Sequence, residues 1–347
     1  MYIKKMDLLN VRSFRKANIE FAPGINLLLG PNNAGKSTIL KCLQKLQQGS
    51  LNKEDIRKTF DTAKIHIEVA EITSPYFSLL KVNAEKNPVW DNKEIVFGIY
   101  SRADKSEHQE KFLLDDDDDV LIKEDDILLV ESTRRAAYGT EFTEFRGFSD
   151  MENENNFIFP FLSKRKTQYY ATQGGFDAAY RVTDDLRNLP SKIQLLNNGS
   201  HPSSKEFIKH CIDILGFEIG TVPSSNSNEQ KIGLVAKHGE NIYLESMGEG
   251  VANILGLLAI LLTEDNKLFL IEEIENDIHP EALKKLLNII TEKSKNNQFI
   301  ISTHSNIVLK YLASSNGAKI FYIDSKIVTK DKVNIPTSKI EEIANTP

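Results

Sequence analysis

The chain has 347 residues, of which 40% are hydrophobic and 27% charged, with a net charge of −6 at pH 7. This composition is typical of a globular protein and argues against a generally basic nucleic-acid coat, although it is compatible with a local basic patch. The longest apolar stretch, 254–262, is too short to span a bilayer, the N-terminal residues lack a signal-peptide apolar region, and two cysteines offer no disulfide framework. We therefore expect a cytoplasmic protein with no contact to a membrane.

The first hundred residues alternate apolar and polar side chains, which predicts β-strands. The predicted strands are 6–11, 17–21, 65–69 and 95–100. A further short apolar strand, 24–29, leads into a glycine-rich loop, and the apolar spacing of 39–46 predicts a helix that leaves it.

The loop between that strand and that helix matches the pattern G-x-x-x-x-G-K-[ST] at every fixed position. Its residues are Gly30, Pro31, Asn32, Asn33, Ala34, Gly35, Lys36, Ser37 and Thr38. Glycines let the backbone wrap around phosphate, amide N–H groups and the helix N-terminus supply positive potential, and Lys36 adds a charge. Ser37 is placed to bind Mg²⁺. The loop therefore predicts a nucleoside triphosphate site, because a chance glycine-rich turn would need neither the strand nor the helix.

The middle of the chain carries weaker signals. Five consecutive aspartates, 115–119, predict a solvated loop rather than a metal motif, since no other carboxylate or histidine fixes their geometry. A strand is predicted at 127–130, and 140–217 is predicted to be mostly helical, with clear helices at 186–196 and 204–215. Residues 222–230 are predicted to form a linker or hairpin loop.

The C-terminal third returns to short apolar runs, 268–271, 299–302 and 320–323, which are typical of buried parallel strands. The first ends in Glu272 and Glu273, and phosphoryl transfer needs one acid near Mg²⁺ and one that polarises water. The second precedes His304, a candidate sensor of the γ-phosphate. Taken alone, a surface strand end and a structural histidine explain these residues equally well.

A serine- and glycine-containing segment, 246–250, precedes the apolar helix predicted at 251–262. Ser246 and Gly248 are compatible with a simple N-cap and turn, or with a second helix N-terminus that faces phosphate.

In chain order, residues 10–15, 30–38, 246–250, 272–280 and 302–305 resemble the SMC-like and OLD-like branch of ABC ATPases. The E-E-x-E-x-x-x-H-P ending is similar to the OLD (overcoming lysogenization defect) group and related bacterial defence ATPases. The resemblance covers roughly 1–75 and 240–310. It implies an α/β fold, an ABC-type P-loop ATPase head of the RecF/SMC kind, with a mixed β-sheet lobe and a helical subdomain. We expect one domain over 1–347, with an N-terminal lobe to about 130, a variable helical insertion at about 131–230 and a C-terminal lobe from about 231.

The resemblance also implies roles. Residues 30–38 would bind ATP, Ser37 and Glu272 would bind Mg²⁺, Glu273 would polarise the attacking water, and His304 would contact the γ-phosphate. Ser246 and Gly248 would reach the ATP of a second subunit in a head-to-tail dimer. The Gln-loop has only Gln173 as a weak candidate. Two departures from the pattern, Ile274 in place of proline and Glu272 in place of aspartate, lead us to expect slow hydrolysis.

The output of such an ATPase is open. OLD enzymes carry a C-terminal Toprim nuclease, and the 43 residues after His304 are too few for one. The leading hypothesis is a nucleotide-gated dimer that works with a separately encoded nuclease or toxin in anti-phage defence. The alternatives are a RecF-like repair or recombination ATPase, a transporter nucleotide-binding subunit, and a scaffold with negligible turnover. DNA is a candidate partner, with 134–135 and 163–166 as candidate basic contacts.

Overall fold

The computed structural model describes residues 1–48, 51–71, 95–102, 127–129, 157–162, 186, 188–223, 230–234, 241–330 and 333–343. The strands in these ranges are β1 Tyr2–Val11, β2 Phe14–Glu20, β3 Ile25–Leu29, β4 Thr62–Ala70, β5 Ile95–Arg102, β6 Ile127–Leu129, β7 Ile158–Phe161, β8 Ile219–Pro223, β9 Gln230–Leu234, β10 Ile242–Tyr243, β11 Leu268–Glu272, β12 Gln298–Ser302, β13 Lys319–Lys330 and β14 Val333–Ile343. The helices are α1 Lys36–Gln48, α2 Leu189–Leu196, α3 Ser204–Leu215, α4 Glu249–Leu261, α5 Pro280–Lys293 and α6 Asn306–Ala313.

The central sheet has the strand order β14-β13-β3-β12-β11-β7 and is parallel except for the β13–β14 hairpin. Every residue of β11 and β12 is buried, as expected for parallel strands that are covered on both faces. Phe269 and Phe299 stack across these two strands with their ring centroids 4.9 Å apart. The pairing of Leu28 and of Glu272 with Ser302 brings the carboxyl ends of β3, β11 and β12 to one edge, where ligands bind in open α/β sheets.

A second sheet, with the order β2-β1-β4-β5-β6, covers one face of the central sheet. Helix α1 lies between the two sheets, because its buried side chains share one hydrophobic cluster with β1, β4 and the central strands; examples are Met6, Leu40, Ile65 and Leu270. Helix α1, which begins at the phosphate loop, is therefore packed against both sheets.

Helices α2 to α6 and a small sheet, β10-β9-β8, form a second cluster on the opposite face. Helix α4 is the centre of this cluster, since nearly all of its residues from Ala252 to Leu261 are buried. No described helix has both the length and the apolar character needed to cross a membrane.

The strands predicted in the first hundred residues and the three C-terminal parallel strands are present, and the predicted helix 204–215 matches α3. The predicted helical character of 140–217 is wrong at one place, because Ile158–Phe161 forms β7, whose conformation is set by parallel pairing with β11. Of the segment 222–230, residues 222–223 belong to β8 and residue 230 to β9; these two strands pair antiparallel, as the predicted hairpin alternative requires. The aspartate run 115–119, Gln173 and the basic segments 134–135 and 163–166 lie outside the described residues.

Candidate nucleotide-binding site

The backbone of the phosphate loop needs its two terminal glycines. Gly30 has φ +143° and Gly35 has φ +116°, conformations that side chains rarely adopt. A Cβ atom on Gly30 would lie 2.1 Å from the carbonyl oxygen of Ile323, and one on Gly35 would lie 2.9 Å from the ring of Phe14. The loop thus presses against strand β13 on one side and the start of β2 on the other, with α1 beginning directly after it.

The phosphate loop is also held from behind by residues far away in sequence. The Ser338 hydroxyl donates to the Ala34 carbonyl at 2.5 Å, and the Ser338 amide donates to the Ser13 carbonyl at 2.9 Å. Arg57, which is buried, donates to the carbonyls of Ser13 and Pro336, both at 2.7 Å. The turn between β1 and β2, the β13–β14 hairpin and the phosphate loop are therefore tied into one unit. Sequence analysis missed Arg57 and Ser338, and no local pattern marks either.

Lys36 lies at the centre of the site with its side chain buried. Its Nζ donates to the carbonyls of Gly30 at 2.8 Å and Pro31 at 2.9 Å, and lies 2.9 Å from His304 Nε2. Burial lowers the pKa of Lys36, and the negative charges of Glu273, Glu272 and Glu275 oppose that shift. A desolvated ammonium among three carboxylates is a strong binding group for phosphate, since phosphate oxygens can replace the carbonyls that now hold it.

Glu272 ends β11 as a buried carboxylate, and Ser37 donates its hydroxyl hydrogen to Glu272 Oε1. A hydroxyl oxygen and a carboxylate oxygen in contact, beside a phosphate loop, form the donor set that Mg²⁺ uses in phosphate sites. That cation takes only one or two protein ligands there and completes its shell with phosphate and water.

Glu273 follows the strand in a left-handed conformation, with φ 50°. Successive side chains of a strand point to opposite faces, and this turn brings Glu273 to the same edge as Glu272. The Glu273 amide donates to the Ser302 carbonyl at 2.9 Å, and Asn276 Nδ2 donates to Glu273 Oε2 at 2.7 Å. Its other oxygen, Oε1, lies 3.9 Å from His304 Nε2.

A cavity of about 530 Å³ opens at this edge. The described residues that line it come from the phosphate loop, the segment after β11 and the loop after β12, namely Pro31, Asn32, Glu273, Glu275, Asn276, His304 and Ser305. Lys36, Ser37, Glu272, Glu273 and His304, which the sequence singled out in separate segments, are thus brought together at one edge. Asn276 is an addition, and Glu275, a fixed acid of the E-E-x-E ending, was given no role from the sequence.

Ser246 and Gly248 are not among the residues that line this cavity. Both are exposed: Ser246 ends a short 3₁₀ turn, and Gly248 caps α4 without a side-chain hydrogen bond. The buried Gly250, one turn further, approaches Asp277 so closely that a Cβ atom would lie 1.9 Å from the Asp277 carbonyl oxygen. The start of α4 therefore packs against the segment that carries Glu273.

The sheet topology together with this edge defines an ABC-type P-loop ATPase head of the SMC and RecF kind. Residues 25–310 match the family described as "AAA domain, putative AbiEii toxin, Type IV TA system", and the chain belongs to that family. The predicted fold class and the resemblance to SMC-like ATPases are confirmed, whereas the similarity to the OLD group and to defence ATPases stays a prediction.

Several known proteins are similar to the chain. An "ATP/GTP phosphatase" of Helicobacter pylori is 20% identical over 340 residues, which cover 94% of this chain and 91% of that protein. The RecF protein of a Thermoanaerobacter species is 30% identical over 105 residues, 30% of this chain and 26% of RecF. Among solved structures, an Smc head bound to the C-terminal domain of ScpA from Pyrococcus furiosus has a TM-score of 0.55 at 13% identity, covering 99% of this chain and 96% of that one. A likeness at this identity defines the fold alone.

Proposed function

We propose that the protein binds ATP with Mg²⁺ and hydrolyses it slowly, as a switch whose two states are an open and a closed head-to-tail dimer. The observation that carries this proposal is the meeting of Lys36, the Ser37–Glu272 pair, Glu273 and His304 at one sheet edge. The family match and the similarity to a relative named ATP/GTP phosphatase support it further.

Each side chain has a role that follows from its contacts. Lys36 gives up its loop carbonyls for phosphate oxygens, and Glu273, with one oxygen held by Asn276, orients the attacking water and accepts its proton. His304, between Lys36 and Glu273, lies where it can donate to the transferred phosphate. Ser37 and Glu272 would hold Mg²⁺, which would supply charge neutralisation at the phosphates.

The dimer is supported by the position of Ser246 and Gly248. Both lie at an exposed N-terminus of a 13-residue helix, outside the cavity of their own chain. Such a terminus favours anions, because its first amides have no partner in the helix and its dipole is positive there. A second copy placed head to tail would bring this terminus to the opposite ATP, so that ATP favours the closed state.

Phosphate release from the purified full chain with ATP and Mg²⁺ tests the ATPase proposal. We expect slow turnover that Lys36→Ala abolishes together with ATP binding, because this substitution removes the buried cation of the site. Lys284→Ala, which removes an exposed lysine paired with Glu281, is the matched control and should behave as wild type. ATP affinity in Lys36→Ala equal to that of wild type, in a folded protein, would remove the phosphate-loop assignment.

We further propose a cytoplasmic role in anti-phage defence with a separately encoded effector, a nuclease or a toxin. The family description, which names a toxin–antitoxin system, supports this choice. The test is to co-express the chain with the products of its neighbouring genes and to compare complex formation with and without ATP. A stable ATP-dependent complex with a nuclease or toxin is expected. We also propose that the chain divides into lobes at about 130 and 230. Limited proteolysis tests these boundaries, and we expect the first cleavages near them.

A RecF-like role in DNA repair is the second candidate, favoured by the 30% identity with RecF over 105 residues. It predicts retention of duplex DNA that weakens steeply as salt rises. If no DNA is retained at about 50 mM salt with ATP bound and hydrolysis blocked, this second candidate fails.

A further inference from the structure

The loop that carries His304 depends on one carboxylate oxygen. Glu275 Oε1 accepts three hydrogen bonds from this loop: from Thr303 Oγ1 at 2.7 Å, from the His304 amide at 2.8 Å and from the Ser305 amide at 3.1 Å. Thr303 Oγ1 in turn accepts from the Ser305 amide at 2.9 Å. Thr303 is buried, whereas His304 at the end of this anchor is exposed. The position of the His304 backbone is therefore set by Glu275.

We propose that Glu275 is a positioning residue that holds His304 against Lys36 and Glu273. The inference rests on the proposed ATPase function and deepens it. It gives three separate tasks to the acid that ends β11 and the two acids that follow it: Glu272 contacts Ser37, Glu273 orients the attacking water, and Glu275 positions His304.

The geometry makes Glu275 an effective link because it sits two residues after Glu273. The Glu273 amide already binds the Ser302 carbonyl at 2.9 Å, so the ends of β11 and β12 are tied once through the backbone. Glu275 ties them a second time, through a charged acceptor whose hydrogen bonds are stronger than neutral ones. A histidine on a loop with two such ties keeps its distance of 3.9 Å from Glu273 Oε1.

The second oxygen of Glu275 argues for function over stability. Within the part of the chain that the structure describes, Oε2 is buried and has no hydrogen-bond partner. A buried acceptor without a partner costs free energy, so a carboxylate here is a poor choice for stability alone. Glu275 also lines the cavity, and its charge is one of the three that oppose the lowering of the Lys36 pKa.

The first test compares ATP turnover in Glu275→Ala, His304→Ala and the double variant. We expect Glu275→Ala to reduce kcat by about 10- to 100-fold with ATP affinity nearly unchanged, as for other residues that orient a site group. The double variant should be no slower than His304→Ala, since Glu275 acts through His304. Glu275→Gln keeps an acceptor oxygen and should recover much of the rate. Glu281→Ala, an exposed acid on the following helix, is the control and should leave kcat unchanged.

The second test needs no activity. Hydrogen–deuterium exchange should speed up for the amides of 304–305 in Glu275→Ala and stay unchanged in Glu281→Ala. If the wild type has no ATPase activity and exchange is still faster in Glu275→Ala, the positioning role stands and the proposed function fails. Unchanged exchange, or rate losses that add in the double variant, would overturn the positioning role. If Glu275→Ala does not fold, Thr303→Val, which removes one of the three donors, carries both measurements.

Discussion

The buried Arg57 provides the strongest stability prediction, because one guanidinium joins three segments behind the phosphate loop. Its amino groups donate to the Ser13 and Pro336 carbonyls at 2.7 Å and to Thr337 Oγ1 at 2.5 Å. Arg57→Ala removes these bonds and a longer one to the Arg12 carbonyl at 3.3 Å, and leaves part-buried acceptors, although the Ser13 carbonyl keeps the Ser338 amide as a donor. Hydrogen bonds to charged groups contribute about 1.5–3 kcal/mol each, and water that enters the gap offsets part of the loss. We therefore expect the free energy of unfolding to fall by about 3–5 kcal/mol.

Urea denaturation followed by circular dichroism measures this loss. Arg15→Ala is the matched control: Arg15 is exposed at the start of β2, and its charge adds to the burial that lowers the Arg57 pKa. The control should change the free energy of unfolding by no more than about 0.5 kcal/mol. ATP affinity should also fall in Arg57→Ala, because the hairpin that holds Ala34 through Ser338 loses its anchor. Equal denaturation midpoints for the two variants would refute this reasoning.

Three further predictions concern the site. Glu273→Gln should keep ATP binding and stop hydrolysis, because an amide cannot accept the proton of the water. With ATP, a closed dimer should then accumulate and be detected by light scattering. Wild-type turnover in this variant would mean that another residue is the base. Ser246→Arg should leave ATP binding intact and block closure; mixing it with Lys36→Ala should restore part of the turnover if sites are shared between subunits, and no recovery at any ratio would count against shared sites. Gly250→Ala should lower turnover without loss of ATP binding, since the new Cβ must displace the Asp277 backbone. Normal kinetics in this variant would show that the packing of α4 does not affect the site.

The parts of the fold that were predictable from sequence are those with local signals. The order of strand, glycine loop and helix around Lys36 is written into 24–46, and the runs 268–271 and 299–302 are apolar because parallel strands are buried on both faces. A strand as short as β7 has no periodicity of its own, and only its pairing with β11 defines it. The phosphate-loop region and the apolar runs could be predicted from their own residues, whereas β7 could be predicted only with knowledge of the strand that pairs with it.

The supporting residues of the site were hidden for the same reason. Arg57 meets Pro336 across 279 positions, and Ser338 meets Ala34 across 304, so no window of sequence contains both members of either pair. Glu275 is close to Glu273 in sequence, but its partners, 303–305, are about 30 residues away in the loop that follows the neighbouring strand β12. Motifs mark residues that contact a ligand, whereas the residues that hold them are found only after the chain has folded.

One segment connects the two surfaces on which a dimeric switch would depend. Glu273 and Asp277 both have left-handed backbones, with φ 50° and 59°, so the segment between them turns sharply away from β11. At its start, the Glu273 carboxylate lines the cavity; near its end, the Asp277 carbonyl touches Gly250 at the start of α4. Backbone contact without side chains leaves no room for one element to move independently of the other. We therefore expect a displacement of Glu273 that moves Asp277 to reach the start of α4, just after the exposed Ser246, and normal kinetics in Gly250→Ala would contradict this coupling.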